Sequence, residues 1–305
     1  MHWFFIALVS PILTSFGNFI DKALTEKFIS KEASIWVLSL YSSLFSLLVI
    51  PLLWIFNPHI FSIEWENALV LMLAGMIEIL SVFLYLNALR DEDTSTVVPV
   101  FQSIPFFAFI LGFLVLGETL TNAQMTAGLV IIFGGVLLTV EFSRERIFTI
   151  RLAPLLFMLA ASFSFALYDT LFKFAAIQES FWTSVFWQHT GMGLLGLTIF
   201  FLNRKRRHGF IENMRANGKK VFSLNVLNEF LYSIGVGFYS FALLLAPIAI
   251  VATVNVYQPV IVFVIGLLFT LFLPHIISER ISPGHVAQKL FAMAIILIGS
   301  IYLVG

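Results

Sequence analysis

Residues 94–121, TSTVVPVFQSIPFFAFILGFLVLGETLT, form one apolar stretch interrupted by Pro99 and Pro105, with Gln102 between them and an acidic charge, Glu118, only at the far end. A second copy of this pattern stands near the C-terminus. Laying Pro105 on Pro259, an offset of 154, also brings Tyr85, Ala88 and Leu89 onto Tyr239, Ala242 and Leu243. Seven inserted residues later, Gly117-Glu118 falls on Ser278-Glu279. The chain therefore reads as two related halves.

With 60% hydrophobic residues, 11% charged and a mean hydropathy of +0.99, the chain belongs to a membrane and not to water. A bilayer core about 30 Å thick needs about 20 apolar residues per helix. Ten such runs occur, over 3–21, 35–56, 68–89, 95–117, 123–141, 152–174, 182–202, 222–246, 249–273 and 286–304. The connections after odd-numbered runs hold sixteen of the seventeen cations, and those after even-numbered runs keep only Lys173. By the positive-inside rule the odd connections are cytoplasmic and both termini extracytoplasmic. The expected fold is an all-α polytopic membrane protein of the cell (inner) membrane, with ten transmembrane helices. Five spans per half is an odd number, so the halves insert with opposite orientation, as two five-helix inverted repeats over 1–143 and 152–305 joined by a basic cytoplasmic linker at 144–151. Met1-His2 supplies no basic leader region, so the first run is expected to stay in the membrane.

Polar residues inside spans mark the candidate site, because lipid does not tolerate them facing outward. Glu78 lies near the midplane of the third run, where a charge costs about 2.5–3.5 kcal/mol on insertion scales. It is a proton-coupling group, a ligand for a cationic substrate, or a neutral acid bonded to a neighbouring helix. Gln102 sits where two prolines break the helix, a feature stable only against protein or water; it is a ligand candidate or an interhelical hydrogen bond. Asn18 shares a helical face with Asp21 and Lys22. At an offset of 151 Asn18 and Lys22 become Asp169 and Lys173, with Tyr168 alongside. Asp169 and Lys173 either neutralise each other one turn apart or leave Tyr168 and Asp169 to line a cavity. In the seventh run, Trp187-Gln188-His189 reads as an aromatic belt or as a titrating group with a ligand beside it. The eighth run carries Glu229 and Tyr232 one turn apart, and Asn255, Tyr257, Gln258 and Pro259 repeat the polar, proline-broken signal in the ninth. Substrate-binding candidates are thus Asn18, Glu78, Gln102, Tyr168, Asp169, Gln188, Tyr232, Asn255, Tyr257 and Gln258. Those for proton coupling are Glu78, Glu229 and His189. Glu118 is expected to hold its outer-face turn, Thr121 to cap the fifth helix, and the basic loop 203–220 to lie against anionic headgroups. Gln102 and Gln258 are candidates to face each other across the cavity.

The ten spans, the duplicated unit, the run ALRDEDTSTVVPVFQSIPFF over 88–107 and GETLT over 117–121 resemble the EamA family of the drug/metabolite transporter superfamily. The second copy departs from the pattern, with Phe-Leu-Pro-His before Ser278-Glu279 and no glycine there. The resemblance implies a ten-helix carrier exporting or exchanging a small metabolite, without cofactor. No Gly-x-Gly-Asp, Gly-x-Ser-x-Gly, His-Glu-x-x-His or phosphate loop appears, and the absence of cysteine excludes thiolate chemistry and thiolate metal sites, so no enzyme is expected. The alternative is a non-transporting membrane scaffold or lipid scramblase, and less readily an intramembrane enzyme. The partners are a small-molecule metabolite and the lipid bilayer. Glycines of the fifth run suit close packing or a homodimer face, and nothing points to nucleic acid.

Overall fold

A computed structural model describes residues 2–27, 31–91, 100–139, 152–272 and 283–304. Pro99, the basic linker and Ser278-Glu279 lie outside the described residues, and so do the side chains of Asp21 and Lys22. All described regular structure is helical: α1 (His2–Lys27), α2 (Lys31–Phe56), α3 (Trp65–Asp91), α4 (Ile104–Leu116), α5 (Asn122–Thr139), α6 (Leu152–Ala176), α7 (Phe181–Leu202), α8 (Arg204–Leu243), α9 (Ile248–Thr253), α10 (Tyr257–Phe272) and α11 (Pro283–Val304), with short 3-10 turns at Pro58–Phe61 and Val254–Val256. Among the described residues, eight stretches are long and apolar enough to cross a membrane, and α4 and α5 are shorter apolar helices. Large apolar side chains such as Leu52, Ile55, Leu114, Phe133 and Ile301 stand on the outside, a surface that only lipid suits.

Both proline-marked stretches are broken where expected. Residues 100–101 are helical, 102–103 form a turn, and α4 starts at Ile104; α9 gives way to a 3-10 turn before α10 begins at Tyr257. Proline lacks the N–H that would continue the ladder, so nearby carbonyls need other donors. The Val100 carbonyl accepts from Ser103 N and Oγ at 3.0 and 2.7 Å and from Ser162 Oγ of α6 at 3.4 Å. At the other break, Ser15 Oγ of α1 donates to the Gln258 carbonyl at 3.3 Å. Each break is served by the first helix of the opposite half.

Helix ends follow local chemistry. Gly117, at φ 66°, closes α4 in the left-handed conformation, and Glu118 N–H folds back onto the Gly112 carbonyl at 3.0 Å. Thr121 and Gln124 then exchange hydrogen bonds as a capping box for α5. Ser180 caps α7 and Asn203 caps α8.

The basic stretch after Asn203, expected as a loop, is instead the first part of α8. Asn203 caps it and no proline intervenes before Pro247, so 40 residues run as one helix about 60 Å long, twice the hydrocarbon thickness. Its N-terminal half extends past the span and is anchored by packing. Phe210 is buried beside Tyr41, their ring centroids 4.8 Å apart, and the Arg206 guanidinium lies 3.1 Å from the centroid of Trp36. Phe210→Ala is expected to cost about 3 kcal/mol in thermal unfolding of the purified protein, whereas a loose loop would be insensitive to it.

Candidate functional site

The polar centre begins with two glycines. A Cβ at Gly191 of α7 would lie 2.0 Å from the Met72 carbonyl oxygen of α3, and one at Gly75 of α3 would lie 2.1 Å from the Gln188 carbonyl oxygen. The two backbones touch, and only glycine fits at either point. On its far side α7 is equally close to α2: a Cβ at Gly196 would lie 2.5 Å from Ser43 Cβ, and one at Gly193 2.5 Å from the Leu47 side chain. The second run's serines are thus largely packing residues, as Ser43 and Ser46 satisfy themselves on carbonyls of their own helix.

This contact places Gln188 directly against Glu78. Its Nε2 donates to Glu78 Oε2 at 2.8 Å and reaches Tyr168 OH at 3.3 Å, while Tyr232 OH donates to Glu78 Oε1 at 3.3 Å. Tyr168 OH is also paired with Ser240 Oγ at 3.3 Å. Glu78 is 1% exposed, and these two donors, one from α7 and one from α8, are uncharged. Next to Tyr168, Asp169 is 3% exposed and accepts from Tyr239 OH at 2.8 Å; Asn255 bonds the same tyrosine. Two carboxyl groups therefore sit in two adjacent hydroxyl and amide sets, side by side through Tyr168-Asp169 and drawn from α3, α6, α7, α8 and the 3-10 turn after α9.

A cavity of about 10 Å³ opens beside Glu78, lined by Ser42, Phe45, His189, Glu229 and Tyr232 among others. That is room for one water at most. Ser42 Oγ donates to Glu229 Oε1 at 2.5 Å, and His189 Nδ1 donates to the Val185 carbonyl at 2.9 Å. Phe45 also borders an apolar surface groove of about 430 Å³ walled by Phe222, Val226, Leu227 and Phe230. Of the sequence candidates, Glu78, Tyr168, Asp169, Gln188, Tyr232 and Asn255 belong to the network, and Glu229 and His189 share its cavity.

Four candidates stand elsewhere. Asn18 is exposed. Gln102 Oε1 lies where a Cβ at Gly135 of α5 would come within 3.0 Å of it, so Gln102 packs against α5 and does not join Glu78. Tyr257 OH donates to Ser300 Oγ of α11, and Gln258 offers its backbone carbonyl to Ser15. The residues that the structure places at the site but that were not among the sequence's site candidates are Gly75, Gly191, Ser42, Tyr239 and Ser240. Gly191, Gly193 and Gly196 did carry a signal, as small residues on a span that also holds an amide.

Asp169 and Lys173, one turn apart, do not neutralise each other. Lys173 Nζ lies 2.6 Å from Glu118 Oε1 and donates to the Ala246 carbonyl at 2.7 Å, while Glu118 Oε2 accepts from Ile248 N at 2.8 Å. Glu118 holds its turn, as expected, but fastens it to the opposite half. Among the described residues no group of three His, Asp or Glu side chains could hold a metal ion.

Residues 1–141 match the EamA-like transporter family. The resemblance read from 88–107 and 117–121 thus rests on the whole first half. A solved structure titled "Crystal structure of protein" superposes with a TM-score of 0.65 at 14% identity, covering 98% of this chain and 94% of that one; at that identity the likeness concerns the fold alone. No curated protein matches. The EamA match covers the first half of the chain, and the long apolar helices make this a multi-span membrane protein.

Because Gly191 leaves no room for a methyl group, Gly191→Ala is expected to push α3 and α7 apart and lower Tm by a few degrees, an overpacking cost of about 1–3 kcal/mol. Gly209, with open space around its Cβ position, is the control, and Gly209→Ala should leave Tm unchanged or higher.

Proposed function

We propose that the protein is a secondary transporter, an exporter or exchanger, that moves a small polar or amphipathic metabolite by alternating access, with Glu78 as the group that exchanges a proton for substrate. The carrying observation is the position of Glu78: fully buried, bonded to uncharged donors from two helices of the second half, and open on one side to a cavity it shares with Glu229 and His189. A midplane acid held in this way can bind a proton or a cationic group, and one occupant displaces the other. Gln188 and Tyr232 orient the carboxyl whichever occupies it. The aromatic residues around the cavity and the groove beyond Phe45 suit an apolar body attached to a polar head.

Two features support the two-half mechanism. Near each proline break a carbonyl accepts from a serine hydroxyl of the other half's first helix, the reciprocity expected of ten spans arranged as inverted repeats. The cavity at Glu78 is too small for a metabolite, so loading requires the surrounding helices to separate. Rocking of one half against the other provides that separation, with both termini on the extracytoplasmic side of the inner membrane.

The test is uptake into reconstituted vesicles of a panel of labelled amino acids, nucleosides and organic amines, with and without a pH gradient. The transport reading expects at least one compound to accumulate with the gradient and Glu78→Gln to reduce that accumulation at least tenfold. Gradient dependence that survives in Glu78→Gln would remove the coupling role. No accumulation of any compound by the parent would favour a scaffold.

A further inference from the structure

We propose that Glu118 and Lys173 form the gate that closes the extracytoplasmic end of the transport path, a role that rests on the transporter reading above. The pair spans the halves: Glu118 follows α4 of the first half, and Lys173 is in α6 of the second. Its bonds are directional as well as ionic. Lys173 Nζ takes the Ala246 carbonyl in the turn after α8, and Glu118 Oε2 takes the Ile248 N–H at the start of α9. One carboxylate and one ammonium thus hold three chain segments together: the end of α4, α6, and the turn that leads from α8 into α9.

The local sequence is built for this contact. A Cβ at Gly112 would come within 2.9 Å of Glu118 Oε2 and 3.0 Å of Ile248, so glycine is what lets the carboxylate lie back over α4 and meet α9. Gly117, in its left-handed conformation, turns the chain so that Glu118 faces inward. Both charged side chains are largely buried, Lys173 at 11% and Glu118 at 14% exposed. Lys173 is also the one cation of the even-numbered connections, which the charge pattern assigns to the outside. A buried pair of this kind stabilises the closed arrangement only while both partners are present, because removing one leaves the other charge uncompensated. It therefore behaves as a latch with two states, closed when paired and open when each charge is hydrated. Ser240, in the last turn of α8, lies inward of it and pairs with Tyr168 of the polar network.

The native chain contains no cysteine, so a single introduced thiol reports accessibility without background. Ser240→Cys is reacted with a membrane-impermeant maleimide added from the extracytoplasmic side of oriented vesicles, with the native latch and in Glu118→Ala and Lys173→Met backgrounds. The latch account expects slow labelling with the native pair and at least tenfold faster labelling in either variant. Ala74→Cys, buried on α3 away from the latch, should stay unlabelled throughout. Equal labelling of the thiol at position 240 with and without the pair would overturn the proposal. So would simultaneous exposure of the thiol at position 74, which would mean general loosening. No substrate is used, so failure of the latch and failure of the transport reading show separately.

Discussion

The contact between the α3 and α7 backbones at Gly75 and Gly191 is the constraint on which the polar interior depends. Any larger residue at either point would meet a carbonyl oxygen at about 2 Å, so the helices could not approach and Gln188 would not reach Glu78. From that one bond the network extends to Tyr168, Ser240 and Tyr232, and a parallel set holds Asp169. In a membrane interior the driving force for such an approach is not the hydrophobic effect, because lipid is as apolar as the side chains. Close packing and hydrogen bonds between helices must supply it, and the small residues of α7 on both of its faces do so.

The same design appears at three levels. The broken helix at Gln102-Ser103 is braced by Ser103 and by Ser162 of α6 on the Val100 carbonyl, and Ser15 of α1 donates to the Gln258 carbonyl just beyond the turn at Val254–Val256. Buried carboxyl groups are tolerated because amide and phenol donors surround them. The buried ion pair of Glu118 and Lys173 is tolerated because a carbonyl and a backbone N–H complete its bonds. Glu78 and Glu118 of the first half take their partners from the second, whereas Asp169 and Lys173 also find partners within their own half.

Much of this was legible in the sequence. Most apolar runs fall on the described helices, although α4 begins nine residues into its run and α8 starts eighteen residues before its own, and Pro105 with its copy Pro259 marked both helix breaks. Glu78 stood out because an acid near the middle of an apolar run is costly unless a partner or a function holds it there. What could not be read was pairing between helices. The i, i+4 spacing of Asp169 and Lys173 suggested a bond along one helix, but Lys173 turns to a carboxylate from the other half. Gln102 looked like a ligand because of the prolines beside it, yet its amide fills the space left by Gly135 of α5. Gly75 looks ordinary in sequence, and the small residues around Gly191 show their use only once the neighbouring helix is known. The basic stretch after Asn203 was read as a loop from its charge, but lysine and arginine are good helix formers and the cap at Asn203 lets the helix begin there.

The central claim is that Glu78 and Gln188 act as one unit set by the α3–α7 contact. A double-mutant cycle of Glu78→Gln and Gln188→Met, read by unfolding stability of the purified protein, tests it most directly. The account predicts an interaction energy of about 0.5–3 kcal/mol, with the double variant losing less than the two single losses combined. Losses that add within about 0.5 kcal/mol would show that the two residues are independent and would contradict it.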